Sequence, residues 1–221
     1  MNMEFNIEQA RTNMIKQQLR TWDVLDESVL EVIRAVPRER FTPERHQKLA
    51  FADMEIPLGH DQIMMTPKVE GRMIQALDIQ NSEQVLEIGT GSGFTAACMA
   101  RLGNLVETVD IYQDFTTAAE QNLAQHGLGN VSVKTGDASQ GWNPETRYDV
   151  IAVTGSIPEY DDRFERSLKV GGRLFIVVGQ APVMEAMLIT RSGETQYLRT
   201  KIFETLLPAL VNATPKPKFI L

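Results

Sequence analysis

The sequence feature that most constrains the fold is an apolar run followed by three alternating glycines, Val85-Leu-Glu-Ile-Gly-Thr-Gly-Ser-Gly-Phe94. The apolar run predicts a buried strand, and the residues from 95 to 102 have the spacing of a helix. Glycines at 89, 91 and 93 let bare backbone approach a ligand where a Cβ atom would clash, and the following helix N-terminus adds unpaired N–H groups. The stretch therefore predicts a strand, a turn and a helix that together bind a small molecule.

The chain after Asn81 alternates between strand and helix patterns. Strands are predicted at 84–88, 105–110, 131–135, 150–153 and 174–178, and helices at 95–102, 114–126 and 161–168. Such an alternation predicts a mostly parallel sheet with helices on both faces. Two further apolar segments flank Ser192-Gly-Glu194, which predicts an antiparallel hairpin at the end of the sheet. The tail at 215–219 is predicted to be extended.

The beginning of the chain has the pattern of two helices. Asn6 and Gln9 have the spacing of a capping box, and the helix that follows is predicted to end near Trp22. Asp26 is predicted to cap a second helix, which Pro37 stops. These helices are expected to cover the sheet.

The segment between these helices and the sheet contains several prolines and glycines, and residues 38–65 are predicted to form a long loop that lines a site. Thr66 as N-cap and Pro67 at the first helical position predict the start of another helix. We therefore expect one domain, with a helical extension and acceptor-lining loop at 1–80 and the ligand-binding part at 81–221.

The amino-acid composition of the chain restricts the kinds of partner that it is expected to bind. The chain has 221 residues, of which 43% are hydrophobic and 23% are charged, which is typical of a globular domain with a substantial core. A formal net charge of -7 without any Lys/Arg run argues against nucleic acid or an anionic membrane as the main partner. No run of about 18 apolar residues predicts a membrane span, and the chain start lacks a signal-peptide pattern, so a cytoplasmic protein is expected. One cysteine and three scattered histidines predict neither a disulfide nor a metal site.

The chemistry around the glycines predicts the ligand. The spacing G-x-G-x-G differs from the G-x-G-x-x-G of dinucleotide sites, which disfavours NAD. Glu87, just before the first glycine, is expected to lie near the ligand and to suit a cationic or amine-bearing one. Asp110, at the end of the second strand, is placed to accept two ribose hydroxyls, with Ile111 beside the adenine. Asp137, followed by Ala138, is expected to reach the adenine amino group. S-adenosylmethionine, which has a sulfonium, an amino group and an adenosine, satisfies these requirements.

Several motifs together resemble one family. The segments are Ile56-Pro-Leu-Gly-His-Asp-Gln62, Glu87-Ile-Gly-Thr-Gly-Ser-Gly-Phe94, Gly136-Asp137, Tyr148-Asp-Val-Ile-Ala-Val-Thr154 and Val170-Gly-Gly-Arg173. They resemble protein-L-isoaspartate O-methyltransferases, from about the first helix to Pro208. The resemblance implies a Rossmann-like S-adenosylmethionine-dependent methyltransferase fold. It also implies transfer of a methyl group to the carboxylate of an isoaspartyl residue in a damaged protein or peptide. The predicted cofactor-binding residues are Gln62, Glu87, Gly89, Thr90, Gly91, Ser92, Gly93, Asp110, Ile111, Asp137 and Ala138.

The segment before Pro67 departs from the family pattern. Members of the family typically have Gln-Thr-Ile-Ser, one further residue and then Pro, and the serine hydroxyl contacts the methyl-accepting carboxylate. This chain has Gln62-Ile-Met-Met-Thr-Pro67, so Met65 falls on the catalytic serine and Ile63 on the threonine. The loss of a hydrogen bond to a charged group costs about 1.5 to 3 kcal/mol, hence roughly tenfold to a few hundredfold in rate. The resemblance therefore implies reduced or altered activity.

Three other hydroxyls are candidates to replace the missing serine. Thr66 is adjacent to Met65, although its position favours use as the helix N-cap. Thr154 and Ser156 follow the fourth predicted strand and are expected at the same edge of the sheet. The sequence leaves the choice among them open.

Three alternatives to the family reaction also stay open. Ile63 and Met65 favour a methyltransferase with a less polar acceptor. A second alternative is a non-catalytic S-adenosylmethionine-binding protein that acts through a partner, and the third is a dinucleotide oxidoreductase. The sequence leaves the oligomeric state undetermined and slightly favours a monomer.

Overall fold

The computed structural model describes residues 6–213, which form a seven-stranded sheet, a separate two-stranded hairpin and surrounding helices. The strands are β1 Ile56–Gly59, β2 Gln62–Met64, β3 Gln84–Ile88, β4 Leu105–Asp110, β5 Val131–Thr135, β6 Tyr148–Ile157, β7 Leu168–Gln180, β8 Val183–Arg191 and β9 Tyr197–Thr205. The α-helices are α1 Ile7–Met14, α2 Glu27–Ala35, α3 Arg38–Phe41, α4 Pro67–Leu77, α5 Phe94–Leu102, α6 Gln113–Gln125 and α7 Arg163–Arg166. The predicted extension of 215–219 lies outside the described residues.

The order of strands in the main sheet is β5-β4-β3-β6-β7-β8-β9. Strands β3 to β7 pair in parallel, whereas β8 and β9 pair antiparallel at one edge. This arrangement confirms the predicted mostly parallel sheet with an antiparallel hairpin at its end. The order changes direction between β3 and β6, and in parallel α/β sheets such a point opens a crevice at the carboxyl ends of the strands.

The two faces of the sheet are covered unequally. Side chains of α4, α5 and α6 lie in one buried cluster, together with Met14 and Leu30 of the N-terminal helices. The other face buries Phe164 of the four-residue α7 and packs against Trp142 in the β5–β6 connection. The predicted helix at 161–168 is therefore confirmed only in its centre. In the part of the chain that the structure describes, no helix has the length and apolar character needed to cross a bilayer.

The N-terminal helices follow the prediction with local differences. Asn6 accepts a hydrogen bond from the N–H of Gln9 at 3.0 Å, but the Gln9 side chain bonds to Asn13 at 2.9 Å instead of returning to Asn6. Half of the capping box is therefore formed. Helix α1 continues as a π-helical turn, Ile15–Leu19, and a 3₁₀ turn, Arg20–Trp22, so the helical segment ends at Trp22 as predicted.

The predicted long loop at 38–65 is wrong in part. It contains α3, a 3₁₀ helix at Glu44–Leu49 and the β1–β2 hairpin. The hairpin turns through Gly59, His60 and Asp61, whose φ angles are 123°, 51° and 56°. Two strands of three and four residues are too short to produce a recognisable alternation, and Pro57 obscures the pattern further.

Candidate functional site

The glycine turn after β3 has the conformation that the motif predicts. Gly89 and Gly93 have φ angles of 102° and 82°, in the region that disfavours residues with a Cβ atom. A Cβ atom on Gly89 would lie 2.4 Å from the Thr154 hydroxyl oxygen, and one on Gly93 would lie 3.0 Å from the Ala119 Cβ. The turn therefore keeps backbone atoms exposed to the crevice and brings the start of α5 close to Ala119 of α6.

A cleft opens at the carboxyl ends of β3, β4, β5 and β6. The predicted residues that line it are Gln62, Gly89, Gly91, Asp110, Ile111, Asp137 and Ala138. Thr90 and Ser92 line an adjoining smaller cavity, whereas Glu87 and Gly93 line neither space. The structure thus brings together residues from three separate strand ends, as the sequence predicts.

Asp110 is held where β4 meets the glycine turn. One carboxylate oxygen accepts a hydrogen bond from the N–H of Gly91 at 2.9 Å, and the other accepts one from the N–H of Tyr112 at 3.0 Å. Burial raises the pKa of Asp110, and the backbone hydrogen bonds oppose that shift. Each carboxylate oxygen has a second lone pair, so Asp110 can still accept two hydroxyl groups of a ligand.

Asp137 is oriented by two donors. Its carboxylate accepts hydrogen bonds from the N–H of Ser139 and from the Asn212 side chain, both at 2.8 Å. Although its burial opposes the shift, these hydrogen bonds lower the pKa of Asp137. The side chain therefore stays ionised at neutral pH and remains an acceptor for a donor such as an amino group.

The position of Glu87 corrects the sequence interpretation. Its side chain is fully buried on the same face of β3 as Val85, and it accepts a hydrogen bond from the Thr108 hydroxyl at 2.6 Å. Burial raises the pKa of Glu87 to about 8, so at neutral pH most of this carboxyl group is neutral. The structure therefore gives no support to the predicted attraction between a Glu87 carboxylate and a cationic ligand, because this side chain does not line the cleft.

The smaller cavity adjoins the cleft and contains the segment in which the family serine is replaced. Met65 is 5% exposed and lines this cavity together with Ile63, Glu70 and Phe94. Among the described residues, neither the cleft nor the cavity is lined by a Lys, Arg or His side chain. The cavity therefore has apolar side chains at positions 63 to 65, and its polar lining from the described residues consists of Glu70 and hydroxyl groups without a cation.

The three candidate hydroxyls differ in their partners. Thr66 is the N-cap residue of α4, but its side chain makes no capping hydrogen bond, which corrects the predicted use. Its buried hydroxyl oxygen has no hydrogen-bond partner. Thr154 donates to the carbonyl oxygens of Ile88 and Gly89, and Ser156 donates to that of Leu207. Thr66 is therefore the candidate whose hydroxyl has no partner, although it lines neither the cleft nor the smaller cavity.

Two groups of cleft residues are missed by sequence reasoning. Tyr112 and Phe115 line the cleft, and His60 at the hairpin tip stacks on Tyr112 with ring centroids 4.0 Å apart. Leu210 and Val211 line it from residues 206–213, which we call the C-terminal strap. Aromatic residues directly after Asp110 were a usable signal for Tyr112 and Phe115. The strap offers none, because only contacts distant in sequence place it at the cleft.

The residues of the cleft fit an adenosyl ligand. The glycine turn leaves space that Cβ atoms would fill, Asp110 faces the cleft from β4, and Asp137 faces it from the turn after β5. In residues 6–213, no group of three or more His, Cys, Asp or Glu side chains is arranged to hold a metal ion. The fold and this site define a Rossmann-like, S-adenosylmethionine-dependent methyltransferase.

Comparison with known proteins identifies the family to which the chain belongs within this class of methyltransferases. The sequence model of the protein-L-isoaspartate(D-aspartate) O-methyltransferase family matches residues 9–213. The chain belongs to this family, which confirms the resemblance noted in the sequence and the use of S-adenosylmethionine.

Individual relatives agree with this assignment. A protein-L-isoaspartate O-methyltransferase of Rhodopseudomonas palustris strain CGA009 is 35% identical over 90% of this chain and 92% of the relative. Protein-L-isoaspartate O-methyltransferase 1 of strain HaA2 is 41% identical over 76% of this chain and 69% of the relative. A Plasmodium falciparum protein, described as a putative member crystallised with S-adenosyl-L-homocysteine, shares the fold with a TM-score of 0.77 at 18% identity, over 94% of this chain and 99% of that one.

Proposed function

We propose that this protein transfers the methyl group of S-adenosylmethionine to the carboxylate of isoaspartyl residues in proteins and peptides. The observation that carries the proposal is the continuity between the cleft, which fits an adenosyl group, and the cavity at Met65. Leu58, Ile63 and Thr154 are among the residues that line both spaces. A methyl donor in the cleft and an acceptor in the cavity would therefore meet beside the glycine turn.

The roles of the cleft residues follow from their chemistry. We propose that Asp110 binds the ribose hydroxyls, that Asp137 binds the adenine amino group and that Ile111 contacts the adenine ring. Gln62, Thr90, Ser92 and the backbone of the glycine turn are proposed to hold the rest of the cofactor. These roles are supported by the carboxyl-edge positions of both aspartates and by their orientation through backbone and side-chain donors.

The proposed reaction requires positioning more than proton transfer. When bound, S-adenosylmethionine supplies a methyl group on a positively charged sulfur, which is attacked in line by a nucleophile. An Asp-like acceptor of pKa about 3.9 is already ionised at neutral pH, so no general base is needed. The residues around the cavity therefore act by orienting the acceptor and by excluding water.

The first test concerns Met65. In the Met65→Ser variant, a hydroxyl returns to the position of the family serine, and the Met65→Ala variant opens the same space without a hydroxyl. We expect turnover of an isoaspartyl peptide, measured with labelled S-adenosylmethionine, to be about tenfold or more higher for Met65→Ser than for Met65→Ala. Absence of turnover in the wild type, together with equal turnover in the two variants, would count decisively against the proposal.

A second candidate function is favoured by the composition of the cavity. No cationic side chain of the described residues lines it, whereas Ile63, Met65 and the paired Glu70 do. Such a surface also suits an uncharged or less polar methyl acceptor. A methylated product formed in an extract free of isoaspartyl residues would support this second function.

We propose a single domain that acts as a monomer in the cytoplasm. The buried cluster that joins the N-terminal helices to the sheet supports the single domain. Light scattering on the purified protein measures its molecular mass and so tests whether it is a monomer.

A non-catalytic binding protein is the alternative to an enzyme. A protein that binds S-adenosylmethionine in calorimetry, methylates no protein pool and co-purifies with a stable partner would support this alternative.

A further inference from the structure

A buried arginine, Arg38, links the segment at the smaller cavity to helix α4 and to the start of helix α5. The side chain of Arg38 is 1% exposed and that of Glu70 is 3% exposed. The Arg38 Nε and Nη2 atoms donate to the two Glu70 carboxylate oxygens at 3.0 and 3.1 Å. The same guanidinium donates to the carbonyl oxygens of Ala50 and Met65, both at 2.6 Å. We call these four residues the Arg38 clamp.

The partners of the Arg38 clamp belong to separate parts of the site. Met65 is the last residue before the N-cap of α4, and Glu70 lies in the first turns of α4 and lines the cavity. The guanidinium carbon also lies 5.3 Å from the ring centroid of Phe94, the first residue of α5 after the glycine turn. One planar side chain thus links the backbone at Met65, helix α4 and the residue that follows the glycine turn.

Stability alone does not account for this arrangement. Removing two charges from water is costly, and replacement of a buried ion pair by apolar side chains of similar volume is often neutral or stabilising. A planar guanidinium with five donors does, however, fix the relative positions of several acceptors at once. Because misplacement of reacting groups by about 1 Å can cost about 100-fold in rate, a residue that fixes the Met65 backbone relative to the glycine turn is suited to a positioning role.

We propose that Arg38, held by Glu70, is a positioning residue that fixes the segment from Gln62 to Thr66 against the glycine turn and so aligns the methyl acceptor with the methyl donor. This inference rests on the proposed function for the identity of the acceptor. The placement of Met65 by Arg38 does not depend on which acceptor is methylated.

The chain contains a matched control at the other end of α4. Arg173 donates to the carbonyl oxygens of Leu77 and Asp78 at 2.6 to 2.9 Å, and it forms a two-bonded ion pair with Glu83 at 2.6 and 2.8 Å. This second arginine holds the C-terminal end of α4, and neither Arg173 nor Glu83 lines the cleft or the cavity. A variant of the Arg173–Glu83 pair therefore distinguishes a general effect on α4 from an effect on the segment from Gln62 to Thr66.

The experiment compares two double variants, Arg38→Met with Glu70→Met and Arg173→Met with Glu83→Met. Removing both partners avoids leaving one charge buried and unpaired. We expect the Arg38 variant to lose less in S-adenosylhomocysteine affinity than in kcat, because neither Arg38 nor Glu70 lines the cleft that contains Asp110 and Asp137. We expect its kcat toward an isoaspartyl peptide to fall about 10- to 100-fold, and the Arg173 variant to keep its kcat. The Arg38→Lys variant, which retains the charge without the planar fork, should also lose kcat.

A second measurement keeps the inference testable if isoaspartyl peptides are not the substrate. The methionine methyl groups are labelled with ¹³C, and the Met65 resonance is assigned with the Met65→Leu variant. We expect this resonance to shift or broaden in the Arg38 double variant and to stay in place in the Arg173 variant. Absence of wild-type turnover, together with equal turnover in Met65→Ser and Met65→Ala, would overturn the proposed function and leave the positioning role untouched. An unchanged Met65 resonance and an unchanged kcat in a folded Arg38 variant, or an equal loss of kcat in the Arg173 variant, would overturn the positioning role.

Discussion

At the scale of single residues, Glu87 couples the stability of the fold to pH. The folded protein holds this carboxyl in a buried site where its pKa is about 8, compared with an ordinary value of 4.5. Between these two pH values the unfolded chain has lost the proton and the folded protein keeps it. Because the folded state then binds one more proton than the unfolded state, the contribution of Glu87 makes the protein less stable as pH rises.

We therefore expect the Glu87→Gln variant to change the pH dependence of stability. From about pH 5 to about pH 7, Glu87 should lower the free energy of unfolding by about 1.4 kcal/mol per pH unit, and the variant should lack that slope. Urea unfolding at a series of pH values measures both proteins. Glu120→Gln, at an exposed position of α6, controls for the loss of one carboxylate. Parallel slopes in the wild type and Glu87→Gln would show that Glu87 does not hold a proton in the folded state.

Individual site residues show what sequence can and cannot give. Alternation along β3 places Glu87 on the same face as Val85, whereas Ile88 lines the cleft, so the orientation of Glu87 was available from a period of two. The free hydroxyl of Thr66 was not available in this way. A threonine before a helix predicts a cap, and only the packing around α4 determines that its side chain makes no capping bond.

At the scale of elements, local patterns predict the strands that end in turns and fail for segments held by distant contacts. The bounds of β3, β4 and β5 match the prediction residue for residue, because each is a short apolar or alternating run with a turn after it. The C-terminal strap is different. It is placed by hydrogen bonds between the backbones of Ser156 and both Pro208 and Leu210, more than 50 positions apart in the chain.

The contact between the C-terminal strap and Asp137 supports a prediction for cofactor affinity. Asn212 donates to the Asp137 carboxylate, so the Asn212→Ala variant should leave this side chain less well oriented. We expect S-adenosylhomocysteine to bind about two- to tenfold more weakly to this variant, as measured by calorimetry. Asn212→Asp places a second carboxylate beside Asp137 and should weaken binding further. Unchanged affinity in both variants would mean that the strap does not orient Asp137 for the cofactor.

At the scale of the whole molecule, one core links the two parts of the site. The buried cluster includes Met14 and Leu30 of the N-terminal helices, Met65 of the smaller cavity and Ala97 of α5. A cluster that extends from the N-terminal helices to the sheet favours unfolding of these parts in one cooperative step. Under that condition a ligand that binds only the folded state stabilises the whole chain, including parts that it does not touch.

Cofactor binding should therefore raise the melting temperature of the entire fold. At about 100 times its Kd, S-adenosylhomocysteine adds about 2.7 kcal/mol of stability, which corresponds to roughly 5 to 10 °C for a chain of this size. Calorimetry should show one transition that shifts as a unit. NAD at the same concentration serves as the control, because the spacing of the three glycines disfavours a dinucleotide. A shift with NAD and none with S-adenosylhomocysteine would contradict the assigned cofactor, and two separate transitions would contradict the single cooperative core.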